Sequence, residues 1–396
     1  MFMSGCVTTY GRGRRPFATG VKSVFNTHEV FNQSTPLTNY NLFTSDPALL
    51  RGLKHFGNGL LDGCNILSYN LLKSYGAKCG SSEMIEQANL AEKHRPQLRQ
   101  FDTFGRRIDV VDFHPAYHHL MRHGREVGVA SYGYNNEKRD PDSHSTRAAL
   151  LYLQNQVDPG VCCPLVMTNA AIPVLRNVPG CEELVEKLCH QGYDPRDVPI
   201  SEKISITAGM SMTEKQGGSD VRANTTMAIP VTAGRAGEGS PYRLTGHKWF
   251  TSAPMSDVYL TLAKTKDSDS NLSCFLVPRW CPDGSRNSGF KVMRLKEKLA
   301  DRSNASSEVE YDNAWCTMVG EEGKGVKTIM EMVQSTRLDC AVGSAGLARR
   351  GLMETLHYTV CSYIRVCSAA SSFVLIVCVS VCLSLGEPFS LRCDSF

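Results

Sequence analysis

No G-x-G-x-x-G occurs anywhere in the 396 residues, so the usual mark of a dinucleotide site at the opening of a Rossmann helix is missing. GEEGKG (Gly320–Gly325) lacks the hydroxyl residue that completes a phosphate loop, and it reads as a strand-to-helix turn. No C-x-x-C spacing is present for zinc. The cysteines number 16, with five of them after residue 360 and the rest scattered singly or as Cys162–Cys163. Reduced, buried thiols in an intracellular protein are the expectation. Excess charge is lacking as well. The net charge is +4, and Arg12, Arg14, Arg15 and Lys22 in the acid-free residues 1–28 account for all of it. The rest of the chain sums to zero, which leaves no overall basic footprint for nucleic acid. Residues 1–28 also lack the apolar core of a secretory signal. Their Arg- and Ser/Thr-containing composition fits a mitochondrial presequence, the alternative being a leader without an address and a cytoplasmic protein.

What is present describes an ordinary globular chain, with 42% hydrophobic and 21% charged residues and length for two or three domains. After the basic leader (1–28), residues 29–203 carry helical spacing. Ser81–Leu98, His144–Val157, Cys163–Leu175 and Cys181–Cys189 are the clearest stretches. From 204 to 319 the pattern changes to short β segments separated by Gly/Ser/Asp-rich turns, as in one antiparallel barrel or sandwich. Helical spacing returns over 320–358. The fold class is therefore α+β: a helical domain, a central β-domain and the start of a second helical domain.

The end of the chain reads differently. Val366–Gly386 is free of charge and on length alone reaches across a bilayer, yet it holds five serines and its strongly apolar part is Phe373–Leu385. VCVSVCLSL (Val377–Leu385) is also what translated GT- and CT-type repeats spell. The expectation for 359–396 is an intron read-through or alternative 3′ exon, with a membrane anchor through 366–386 as the alternative.

The most informative stretch is MTEKQGGSD (Met212–Asp220). It gathers two hydroxyls (Thr213, Ser219), two carboxylates (Glu214, Asp220) and the adjacent glycines Gly217 and Gly218. Adjacent glycines let a backbone approach a ligand, and N–H groups flanked by hydroxyls suit a phosphate or a flavin edge. A plain surface turn is the alternative. In FHPAYHHLMRHG, His119 and His123 stand at i, i+4 and could face a metal, but no cysteine joins them, and a structural helix face is favoured.

Three segments together resemble the acyl-CoA dehydrogenase family of flavoproteins, and its AidB-like branch in particular. They are Thr213–Asp220, against T-E-x-x-x-G-S-D; Gly246–Ser252, against G-x-K-x-W/F-x-[TS]; and Leu299–Ser303, against G-x-R-x-S, where Ala300 or Asp301 stands in place of the glycine. His28–Phe43 and Phe113–Met121 look like the same branch, and the likeness runs from about 27 to about 358. It implies FAD as cofactor and an acyl-CoA thioester as substrate, oxidised at a CH–CH bond. It also implies a homo-oligomer in the family, doubtful here, and for the AidB-like branch DNA binding in the alkylation-damage response, an alternative that the neutral balance after residue 28 does not support.

By the same resemblance, Met210, Ser211, Met212, Thr213, Glu214, Lys215, Gln216, Gly217, Gly218 and Ser219 line the flavin. Phe250, Thr251 and Ser252 form the second contact, with Phe250 against the ring and Ser252 at its edge. Trp249 is expected in the core, and Glu214 to be structural rather than a base. The family's catalytic glutamate usually sits in the last quarter of the chain, past the point where the likeness stops. The other family position for a base, just before Arg337, is Thr336, which cannot take up a proton. The R-x-x-F-G segment and the later glycine-rich helix start are absent too. The expectation is a flavin wall without its base and without much of the dinucleotide grip, in a chain whose second helical domain is cut short.

Overall fold

The structure is a computed structural model that describes residues 33–57, 65–265 and 271–361. The basic leader and the stretch 366–386, with the presequence and membrane readings attached to them, lie outside the described residues.

The helical part opens with α1 (Pro47–Phe56), α2 (Ile66–Cys79) and α3 (Ser82–Lys93). Ser81 caps α3 by accepting from the Met84 N–H at 3.2 Å. The helix expected to reach Leu98 ends sooner, because Pro96 cannot continue it and steers its predecessor to extended backbone. Leu98 instead enters a hairpin of β1 (Gln97–Phe101) and β2 (Arg107–Asp112). Next come α4 (Pro115–Val127), α5 (Tyr132–Asn136), α6 (Ser143–Asn155), α7 (Pro159–Leu175) and α8 (Glu182–Cys189). Apart from Pro159, Cys163, Val166 and Pro173, every residue of α7 is buried, since helices pack it on one side and the barrel on the other. Two of the four histidines of α4 and its cap make hydrogen bonds and the other two meet ring to ring. His114 accepts from the Ala116 N–H, His118 bonds Tyr193, and His119 lies edge-on to His123 with centroids 4.5 Å apart. Among the described residues, no cluster of His, Cys, Asp and Glu with metal-site geometry is found.

The central domain contains β3 (Ala208–Ser211), β4 (Met227–Pro230), β5 (Pro241–Ser252), β6 (Val258–Thr265), β7 (Leu272–Pro278), β8 (Phe290–Leu295) and β9 (Ser306–Val319). Strand β5 pairs with β4, β4 with β6, β6 with β7, β7 with β9, and β9 again with β5. That ring is a closed barrel, and β8 is added along β9. Pairing is antiparallel except that β3 and β4 both run parallel to β6. These two short strands share one stave position between β5 and β6, end to end, so the chain linking them must loop out of the wall. That loop is Met212–Thr226. Tyr242, Tyr259, Phe275, Val309 and Tyr311 fill the barrel interior.

A turn with Gly320 (φ +73°) and Gly323 (φ +74°) leads to the 37-residue α9 (Gly325–Cys361). Ile329 and Met332 of α9 pack with α7 and with the outer face of β6 and β7. The Arg147 guanidinium bonds the Asp339 carboxylate, both buried, and so fixes α9 to α6. Among the described residues, no helix is long and apolar enough to cross a membrane.

Candidate functional site

The two sequence segments expected to act together meet in one wall. Ser211 of β3 lies opposite Thr251 of β5, and the Trp249 N–H donates to the Thr213 carbonyl at 2.7 Å. Two strands that pair at one point must share a face, so Met210–Thr213 and Phe250–Ser252 form one patch of barrel surface.

A shift of register in β5 against β9 between Lys248 and Thr251 decides which side chains point outward. Lys248 and Thr251 both turn into the barrel. Trp249 and Phe250 between them both turn out, with ring centroids 6.4 Å apart and Phe250 50% exposed. Trp249 is thus not a core residue: it is half-buried on the outer surface. Lys296 lies 3.4 Å from its ring centroid, Lys215 5.2 Å and the Arg294 guanidinium 5.8 Å.

The loop that leaves the wall is anchored by Glu214. Its Oε1 accepts from Lys248 Nζ at 2.8 Å and from Thr226 Oγ1 at 2.6 Å. Its Oε2 accepts from the Thr225 N–H at 2.7 Å and from Gln216 Nε2 at 2.7 Å. Burial alone pushes this carboxyl up, but the Lys248 ammonium and the donors around it hold it down at about 2. It is a saturated carboxylate inside the protein, with no lone pair aimed outward.

Several other expected contacts also turn inward. Ser211 Oγ and Thr251 Oγ1 bond each other at 2.6 Å inside the barrel. A Cβ on Gly217 would stand 2.8 Å from Asn224 Oδ1 and 2.9 Å from the Asp220 carbonyl, so that glycine answers to the loop's own packing. At Gly218 the nearest atom would be Thr213 Cγ2, at 3.1 Å. Lys215 donates its N–H to His247 Nε2, and Gln216 bonds within the loop. What faces outward is Met210, Met212, Thr213, Lys215, Gln216, Gly218, Ser219, Phe250 and Ser252, all exposed or half-buried. Among the described residues, the hydroxyls of Thr213 and Ser219 make no hydrogen bond.

Cys163 of α7, which nothing in the sequence singled out, reaches this wall. Its thiol is pushed up to about 11, chiefly by burial, with Lys298 and the Ser252 hydroxyl acting to lower it. Cys340 of α9 and Lys298 also act on it electrostatically, so α7, α9 and the wall converge there. On α9, Thr336 spends its hydroxyl on the Val333 carbonyl at 2.9 Å. Asp339 is engaged by Arg147, Glu354 by Arg350, and Asp158 by the Val161 N–H at 3.0 Å and Ser303 Oγ at 2.8 Å, while Glu331 is exposed. Beside Ser303, Asp301 takes the left-handed backbone (φ 53°) in the segment where the family motif carries glycine.

Residues 32–195 match the adaptive response protein AidB N-terminal domain, and residues 209–314 the acyl-CoA dehydrogenase middle domain. The putative acyl-CoA dehydrogenase AidB of Escherichia coli K12 is 41% identical over 336 residues, covering 84% of this chain and 59% of that protein. Acyl-CoA dehydrogenase family member 11 of Caenorhabditis elegans is 33% identical over 344 residues, 83% of this chain and 52% of that one. This chain therefore spans little more than half the length of these relatives. Among solved structures, Caenorhabditis elegans ACDH-11 in complex with C11-CoA superposes with a TM-score of 0.75 at 29% identity, over 91% of this chain and 59% of that one. Butyryl-CoA dehydrogenase of Megasphaera elsdenii gives 0.57 at 16% identity, over 81% of this chain and 76% of that one, a likeness of fold alone.

Proposed function

Because the chain belongs to the acyl-CoA dehydrogenase family, on its AidB-like branch, we propose that the outer face of β3 and β5 holds the flavin ring of FAD, in service of oxidising a CH–CH bond of an acyl-CoA thioester. The observation that carries this reading is the joining of Met210–Thr213 to Phe250–Ser252 in one outward patch. The residues present fit the group: Phe250 presents an exposed aromatic ring next to Trp249, whose N–H bonds Thr213, and the hydroxyls of Thr213 and Ser219 have no partner among the described residues. FAD, when bound, supplies a hydride acceptor. In this reading Phe250 covers one face of the ring. The Thr213, Ser219 and Ser252 hydroxyls donate toward its polar edge, and donors placed there stabilise charge that develops on it. Lys215, Arg294 and Lys296 hold Trp249 in place behind Phe250.

The thioester reading draws on the C11-CoA bound by ACDH-11. The α-proton of a thioester needs a carboxylate base in a dry pocket, and residues 33–361 offer Thr336 at the one family position they contain. We propose that these residues bind flavin without completing the chemistry. The DNA-binding alternative is not favoured, since the net positive charge resides in residues 1–28.

The test is anaerobic addition of acyl-CoA thioesters to the purified chain in the presence of FAD. Flavin is expected to bind and to keep its oxidised spectrum with every thioester. Rapid bleaching by any of them would overturn the incomplete-site reading, and no flavin binding would overturn the wall itself.

A further inference from the structure

We propose that the far end of the barrel carries a second binding site, for an amphipathic anion whose aliphatic chain enters a chamber beside α8 and whose head group rests on Arg243 and Arg286. The chamber has a volume of about 390 Å³ and lies between the lead-in to α8 and the outer faces of β6, β7 and β9. Leu184, Ile200, Leu276, Trp280 and Trp315 give it an apolar, aromatic lining. Its size and lining fall in the range of small-molecule sites, roughly 300–1,000 Å³ and mostly apolar.

The chamber shares Cys281, Pro282 and Trp315 with a polar trough of about 420 Å³, so the two form one continuous groove. Two cations line the trough. Arg243 is exposed and bonds the Asn313 carbonyl at 3.2 Å, with no carboxylate partner among the described residues. Arg286 bonds Asp197 through Nη1 at 2.8 Å and lies over the Trp280 ring, while its Nη2 is buried without an acceptor among the described residues. A buried guanidinium nitrogen left unpaired is costly, and an anionic oxygen is the partner it lacks. Of the acids nearby, Asp197 pairs with both Arg279 and Arg286. Asp283 accepts from the Ser285 N–H and hydroxyl at 2.9 and 2.6 Å, and Glu183 pairs with Lys187 at 2.8 Å. Apolar length on one side and, on the other, Arg243 without a carboxylate partner and the unbonded Nη2 of Arg286 select a chain with an anionic head.

This groove is separate from the flavin wall. Arg243 and Phe250 lie on the same strand, and the intervening residues put them about 23 Å apart at 3.3 Å per residue.

Trp280 and Trp315 are two of the protein's 3 tryptophans, so intrinsic fluorescence reads the groove once Trp249→Phe removes the other signal. The protein is titrated with decanoate, with decanol and with acetate. Decanoate is expected to give a saturable change. Decanol and acetate, each lacking half of the recognised chemistry, are expected to bind at least roughly tenfold more weakly, as decanoate is to Arg243→Glu. Thr317→Phe, which fills the chamber, should remove the response while far-UV circular dichroism stays unchanged. FAD binding, measured separately, is expected to be the same in these groove variants, so failure of one site leaves the other standing. No saturable response to decanoate, equal affinity for decanoate and decanol, or full binding by Thr317→Phe would each overturn the proposal.

Discussion

Lys248 Nζ lies 2.8 Å from Glu214 Oε1, and neither side chain has any exposed surface. The pair ties the strand that carries Phe250 to the loop that carries Thr213 and Ser219, so the outward wall depends on an inward ion pair. Breaking a buried pair by removing one partner strands the other charge and costs about 3–5 kcal/mol. Glu214→Gln and Lys248→Met are each expected to lose about that much, and the double variant less than the sum of the two. Urea unfolding of the three variants measures it.

Acid should act on this pair in a defined window. Glu214 is held at about 2 against an ordinary 4.5, so its contribution is present above 4.5 and is lost as pH falls toward 2. Asp158 behaves oppositely: burial raises it from 3.8 to about 6, so stability is greatest below 3.8 and declines as pH rises through 6. Asp158→Asn is therefore expected to flatten the dependence of melting temperature on pH between 3.8 and 6, leaving the loss toward pH 2 unchanged. Scanning calorimetry across that range checks both signs.

The adjacent glycines should separate. Gly217→Ala places its Cβ against the Asp220 carbonyl and Asn224, an overpacking expected to cost about 1–3 kcal/mol. Gly218→Ala presses on a side-chain methyl alone and should cost little stability, while weakening FAD binding. Equal stability losses in the two variants would contradict the assignment of Gly217 to packing and Gly218 to the outer surface.

Lys296 and Trp249, 3.4 Å from nitrogen to ring centroid, should show a coupling of about 0.5–2 kcal/mol in a double-mutant cycle. Lys296→Met is also expected to shift the emission of Trp249, which can be isolated in a Trp280→Phe, Trp315→Phe background.

Much of this architecture was legible in residue order. Periodic apolar spacing marked α6 to α9, and the loop and strand motifs named the two halves of the wall. What escaped depended on partners distant in sequence. Strand β1 reads Gln-Leu-Arg-Gln-Phe with alternating partial exposure, a weak signal beside the strongly charged α3, and Pro96 was the one local cue that the helix had ended. The outward turn of Trp249 follows from the register of β5 against β9, which no window around Trp249 contains. The inward turn of Glu214 follows from Lys248, thirty-four positions away. Cys163 sits in an apolar helix like any core cysteine, and only the packing of α7 against β3 brings it near the wall. The two-sided groove near Trp280 and Trp315 draws on loops and strands from both domains, so no stretch of sequence announces it.

The central claim is that Phe250 and its neighbours form a flavin surface. Quenching of flavin fluorescence during titration of FAD with the wild-type chain and with Phe250→Asp tests it most directly. Because Phe250 is half exposed, the variant should fold as the parent does. The account predicts saturable quenching by the wild type and at least roughly tenfold weaker binding by Phe250→Asp. Absence of quenching by the wild type, or the same affinity in both proteins, would contradict it.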